Sequence, residues 1–127
     1  MPSTPRRTAF EAEHARREAE SRARWEAERQ RQEADHAKAE RLHDILAADP
    51  EFLAAKKLTL ELSRYTVGLE HADLRLRVYF EEGQSNVTSA DKRTATTVTA
   101  APRKRADIET VEEALEHLAQ YLADEIR

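Results

Sequence analysis

From residue 9 to residue 48 the chain contains neither glycine nor proline, and eleven of those positions are alanine. Most of the remainder are glutamate, arginine and glutamine, which with alanine are the strongest helix formers. Such a stretch predicts one long helix, about 60 Å at 1.5 Å per residue. Charge spacing supports it. Glu13/Arg17, Glu18/Arg22 and Glu20/Arg24 are attractive i,i+4 pairs in the better orientation, and Arg16/Glu20, Arg22/Glu26, Arg24/Glu28, Arg29/Glu33 and Arg31/Asp35 are attractive in the reverse one. Each stabilises a helix by a few tenths of a kcal/mol. Glu40/Asp44 is the one like-charge pair at that spacing. A disordered charged tail has no reason to sort its charges in this way.

The helix is polar nearly all round until Leu42, and between Phe10 and Leu42 its one large apolar residue is Trp25. A helix of this kind either stands in solvent on its ion pairs or packs through a thin stripe of small residues. Ala12, Ala15, Ala19, Ala23, Ala27, Ala34 and Ala37 form such a stripe. It drifts around the helix and lacks Leu or Ile at heptad core positions, so the coiled-coil signal is weak. The expectation is a helical arm over residues 9–41, behind a loose tail of residues 1–8 that holds Pro2 and Pro5.

The character changes at Leu42, which with Ile45 and Leu46 makes the first strong apolar face. Asp49-Pro50 should end the helix and start a short new one, with Asp49 as its cap and Pro50 at its first position. Leu58, Leu60 and Leu62 then alternate with polar residues, and Tyr65, Val67 and Leu69 alternate one step out of phase. One strand with a bulge near Ser63-Arg64 accounts for both runs. Leu58, Leu62, Tyr65 and Leu69 also fit helical spacing, which is the competing reading. Residues 73–82 alternate clearly, Leu74, Leu76, Val78 and Phe80 against Arg75, Arg77, Tyr79 and Glu81. His71-Ala72-Asp73 would turn the hairpin, and Gly83 to Asn86 would end its second strand. Residues 88–93 resemble a loop and residues 94–99 an edge strand. Finally, Thr110 and Glu113 form a capping box. Val111, Leu115, Leu118, Leu122 and Ile126 line one face of the helix that follows. The expected fold is α+β. A long charged helix and a short helix precede a two- to three-stranded antiparallel sheet, covered by a C-terminal amphipathic helix, and residues 42–127 form the compact module.

The chemistry-bearing residues are sparse. A chain without cysteine has no disulfide framework or thiolate metal site, which leans towards a reducing compartment and hence the cytoplasm. No apolar run is long enough to cross a bilayer. His36 and His43 lie seven apart on a helix, about 10 Å along its axis and too far for one metal ion. His14, His71 and His117 have no partner ligands in the pattern, so no metal or cofactor is expected. The carboxylates are interleaved with arginine as ion-paired faces are, and no nucleophile elbow or phosphate-cradling glycine loop is present. No enzymatic activity and no small-molecule substrate are expected.

Charge placement is more informative than the net of −4. Residues 1–43 hold ten basic and nine acidic residues, so the arm is almost neutral and dense in both signs. That suits pairing with another helix better than wrapping nucleic acid. Lys92, Arg93, Arg103, Lys104 and Arg105 gather five positive charges around the expected edge strand. Such a cluster is a candidate nucleic-acid contact, or else a guard against strand-to-strand aggregation. The segment from 107 to 127 carries seven acids against one arginine. The expected function is a non-enzymatic protein–protein interaction protein, homodimeric or docking through its arm. Trp25 and the sheet residues Arg75, Arg77 and Tyr79 are its candidate partner contacts. Two alternatives stand beside it. One is a nucleic-acid-associated regulatory factor using the basic edge 92–105, and the other a small acidic inhibitor of a nucleic-acid-handling complex.

Overall fold

A computed structural model of the chain describes residues 5–92 and 104–125. The tail residues 1–4, the expected strand at 94–99, Arg93, Arg103 and Ile126 lie outside these described residues. The element order is α1 (Pro5–Ala47), α2 (Pro50–Ala55), β1 (Thr59–Ser63), β2 (Thr66–Glu70), β3 (Leu74–Tyr79), β4 (Asn86–Asp91), β5 (Lys104–Asp107) and α3 (Val111–Glu125). The chain divides into two compact units, Met1–Glu33 and Ala34–Arg127. The second begins ahead of Leu42, because Asp35 and Ala39 are already buried. Ala39 belongs to the apolar core itself, a role too small to register as a hydrophobic stripe.

The long helix and the α+β class hold, but the sheet is larger than the sequence reading allowed. Five antiparallel strands lie in the order β1-β2-β3-β4-β5, each bonded to its neighbour in the chain. Residues 58–69 are two strands rather than one bulged strand. The phase change after Leu62 marks a reversal, with Leu62 opposite Val67 and Ser63 opposite Thr66. Arg64 and Tyr65 form the two-residue turn, and Arg64 takes a φ of 49°. Hairpin turns of this length need a left-handed residue, ordinarily glycine or asparagine. With arginine there, the usual signal is missing. The expected loop at 88–93 is mostly β4, of whose two buried residues, Val87 and Ser89, only the valine is apolar. The basic run ends in a fifth strand, β5, where Lys104 pairs with Ser89 and Arg105 with Thr88.

Alternation assigns the sheet two faces. Val67, Leu69, Leu74, Leu76, Val78 and Val87 are buried, together with Phe80 just beyond β3. Ala39 and Leu42 of α1, Leu58, Ile108, and Val111, Ala114, Leu118 and Tyr121 of α3 join them in one core cluster. Leu60, Leu69 and Leu76 are successive cross-strand partners, and Ser89 continues the row. The Ser89 hydroxyl is buried there with no hydrogen-bond partner among the described residues.

Helix ends follow their capping chemistry. The Asp49 carboxylate accepts from the N–H of Phe52 at 3.2 Å, and the Thr110 hydroxyl accepts from the N–H of Glu113 at 3.1 Å. α2 ends in a Schellman motif. Leu58 N–H donates to the Leu53 carbonyl at 2.8 Å and Lys57 N–H to the Ala54 carbonyl at 3.1 Å. Lys57 occupies the left-handed position at φ 55°, where glycine is the usual residue. This turn sends Leu58 directly into the core.

Candidate interaction surfaces

The first unit consists of α1 up to Glu33, and its described side chains are exposed apart from half-buried Glu13. Ion pairs at helical spacing line it. Arg16 bonds Glu13 and, at 2.7 Å, Glu20. Arg17 reaches Glu13 at 3.0 Å, Arg29 approaches Glu33 at 3.8 Å, and Arg31 bonds Glu28. The two arginine bonds hold the Glu13 carboxyl below its usual range, first through Arg16 and then through Arg17. Two apolar rings have no such employment. Trp25 is 74% exposed and Phe10 69%. Phe10 stacks on His14, with ring centroids 6.0 Å apart, and Trp25 lies in an open trough with Ser21, Arg24, Glu28, Arg29 and Gln32.

In the second unit the face of the sheet turned away from the core carries Arg75, Arg77 and Tyr79 side by side on β3. Register extends this face into rows: Glu61, Gly68, Arg77, Thr88 and Arg105 are successive partners across all five strands. Arg75 is not free, because it bonds the Glu70 carboxylate, which Lys92 also bonds. Burial pushes Glu70 up, but the hydrogen bonds from Lys92 and Arg75 outweigh it and hold this carboxyl below the ordinary range. The Tyr79 hydroxyl donates to Glu81 at 2.9 Å, and that bond to an anion raises the phenol's pKa. Arg77 is exposed and has no charged partner among the described residues.

The described members of the basic cluster do not share one patch. Of its described members, Arg105 is on the open face, where Asp107 lies 3.7 Å away. Lys104 is on the helical side, bonded to Asp124 at 3.2 Å and Glu125 at 3.3 Å and set 5.5 Å from the Tyr121 ring centroid. Those acids raise the lysine's pKa, the Asp124 bond foremost. Lys92 also donates to the His71 carbonyl at 2.8 Å. The acidic last helix is likewise partly neutralised within the fold, because Glu112 bonds Arg41. Its own helical N–H lowers the Glu112 pKa most, and Arg41 lowers it further.

Two features escaped the sequence reading. Asp35, expected to end the ion-pair ladder, is buried and accepts from the Glu82 N–H at 3.3 Å. An apolar groove lined by Phe52, Lys56, Ala119, Leu122 and Ala123 lies between α2 and α3, with a volume of about 300 Å³. A short apolar helix followed by paired lysines was the available hint for the groove. For Asp35 the sequence carries none.

Among the described residues no group of three histidine or acidic side chains converges to hold a metal ion. No helix among them is long and apolar enough to cross a membrane. No family model, curated protein or solved structure matches the chain.

Proposed function

We propose that this is a non-enzymatic interaction protein whose helical arm associates with a second copy of itself, and whose α+β module offers the open sheet face to a protein partner. One observation carries the reading: α1 buries only Asp35, Ala39 and Leu42 along its 43 residues while holding Trp25 and Phe10 in solvent. Intrinsic propensity and ion pairs are enough to form such a helix and give no reason to keep a tryptophan on it. Large aromatic side chains are the type enriched at the energetic centres of protein interfaces. The near balance of charge along the arm favours a helix of like composition as its partner. On the module, exposed Arg77 and Arg105, with half-buried Tyr79 beside them, are the groups through which a partner with acidic side chains would be read. The cytoplasm is the setting this reading assumes.

Sedimentation equilibrium over a hundredfold concentration range tests the arm. A concentration-dependent dimer that Trp25→Ala weakens at least tenfold is expected. A monomer at every concentration would remove self-association. The dispersal of Lys92, Lys104 and Arg105 over different surroundings favours protein over nucleic acid as the partner of the module.

A further inference from the structure

The geometry points to the groove between α2 and α3 as a binding site for a medium-chain aliphatic carboxylate. Its lining is almost wholly hydrocarbon: the Phe52 ring, Leu122, and the methyl groups of Ala119 and Ala123 one turn apart on α3. The two alanines give the groove its depth. Larger side chains at those positions would fill the space against α2. Phe52 is left 38% exposed as its wall, although the same helix packs its other large side chain, Leu53, half-buried against the core.

Among the described residues, one charged side chain lines this apolar cleft. Lys56 lines it and has no charged partner among the described residues. Its backbone is held at the end of α2, where its N–H donates to the Phe52 carbonyl at 3.0 Å and the Schellman turn begins. The other acids of α3 are engaged, Glu112 with Arg41, Glu113 with the Thr110 hydroxyl, and both Asp124 and Glu125 with Lys104. Glu116, one turn before Ala119, is the α3 acid left over, and it opposes an anion. A single cation beside a hydrocarbon cleft selects a molecule with one anionic end and an apolar body. At about 300 Å³ the groove is at the small end of ligand sites. On the order of 30 Å³ per heavy atom, the liquid-water share, it takes roughly ten such atoms, the size of octanoate.

The test titrates the isotope-labelled full chain with octanoate and follows backbone amide shifts. Saturable shifts centred on Phe52, Lys56, Ala119 and Ala123 are expected. Affinity should rise about fourfold per methylene from hexanoate to octanoate, the yield of burying one such group. It should level off once the chain outgrows the groove. Octylamine, equal in length and opposite in charge, should bind at least tenfold more weakly. Lys56→Gln should weaken octanoate about tenfold and leave 1-octanol unchanged, and Glu116→Gln should tighten octanoate. Ala119→Trp, at an exposed helix position, should abolish binding with thermal unfolding unaltered. Equal binding of octylamine and octanoate, shifts centred elsewhere, or no saturation would each overturn the assignment. The first comparison needs no variant, so it stands even if a substitution disturbs folding.

Discussion

The buried carboxylate of Asp35 accepts the backbone N–H of Glu82 at 3.3 Å, across 47 positions of sequence. Glu82 lies in the connection between β3 and β4, where Ser85 also accepts from the Glu81 N–H at 3.0 Å and donates back to the Glu81 carbonyl at 2.9 Å. A helix side chain thus completes the hydrogen bonding of a loop that has no ladder of its own. Removing it leaves a part-buried donor without its acceptor, which costs about 1 kcal/mol, the low end of the range for buried groups. Asp35→Ala should lower stability by that amount in urea denaturation. Asp35→Asn retains an acceptor oxygen and should cost less. Equal effects of the two would mean that the bond to Glu82 contributes nothing.

Leu76 and Ser89 are cross-strand partners on the core face of the sheet, and they should respond oppositely to alanine. Leu76→Ala opens a cavity and should cost about 2–5 kcal/mol. Ser89→Ala removes a buried hydroxyl without a partner among the described residues and should be neutral or stabilise by about 1 kcal/mol. Arg77→Ala, one residue along on the open face, should change stability by less than about 0.5 kcal/mol. Thermal unfolding of the three variants reads all of this, and equal loss for Leu76→Ala and Arg77→Ala would contradict the assignment of faces.

Lys57 and Arg64 hold left-handed backbone at φ 55° and 49°. A side chain in that region costs about 1–2 kcal/mol, and glycine's greater freedom in the unfolded chain cancels part of any gain. Lys57→Gly and Arg64→Gly should therefore each stabilise by about 0.5–1 kcal/mol. A loss at either position would show that the lysine stem or arginine stem contributes packing worth more than the relieved strain.

Acid should expose the contribution of Glu70. Its carboxyl sits below its unfolded pKa because Lys92 and Arg75 outweigh burial. A lowered folded-state pKa adds stability that is complete above the unfolded value, and it drains away as pH falls through the folded value. Glu70→Gln should be less stable than the native chain at neutral pH, and the difference should close below the folded pKa. Chemical denaturation from pH 7 to pH 2 measures it. A difference that persists unchanged to pH 2 would assign the loss to packing instead.

How far the sequence discloses this structure depends on which physical signal each element carries. α1, α2, β3 and α3 announce themselves through propensity, Asp49-Pro50, strict alternation and the Thr110 cap. β1 and β2 fused in the sequence reading because their turn is Arg64-Tyr65, without the glycine or asparagine that usually marks one. β4 carries little apolar alternation, because Ser89 and Asp91 follow Val87 at its core-facing positions. The surfaces were less legible still. Alternation alone put Arg75, Arg77 and Tyr79 on one face. Only tertiary structure shows that Glu70 occupies Arg75, that Lys104 turns to the opposite side from Arg105, and that two helices distant in sequence enclose a groove at Lys56.

Because each strand bonds to the one beside it in the chain, the sheet needs only short loops to close among its first four members. Contacts between near neighbours form early and favour rapid folding, whereas each doubling of loop length adds about 0.6 kcal/mol of closure entropy. The long-range step is the meeting of α1 and α3, where Arg41 and Glu112 are 71 residues apart. A meander of this kind can assemble hairpin by hairpin before its helical cover arrives. Until then the leucines and valines of its inner face lie open to water, and to one another on neighbouring chains. If the sheet forms ahead of its cover, faster docking of the helices should raise the yield of folded chains more than a stronger sheet would.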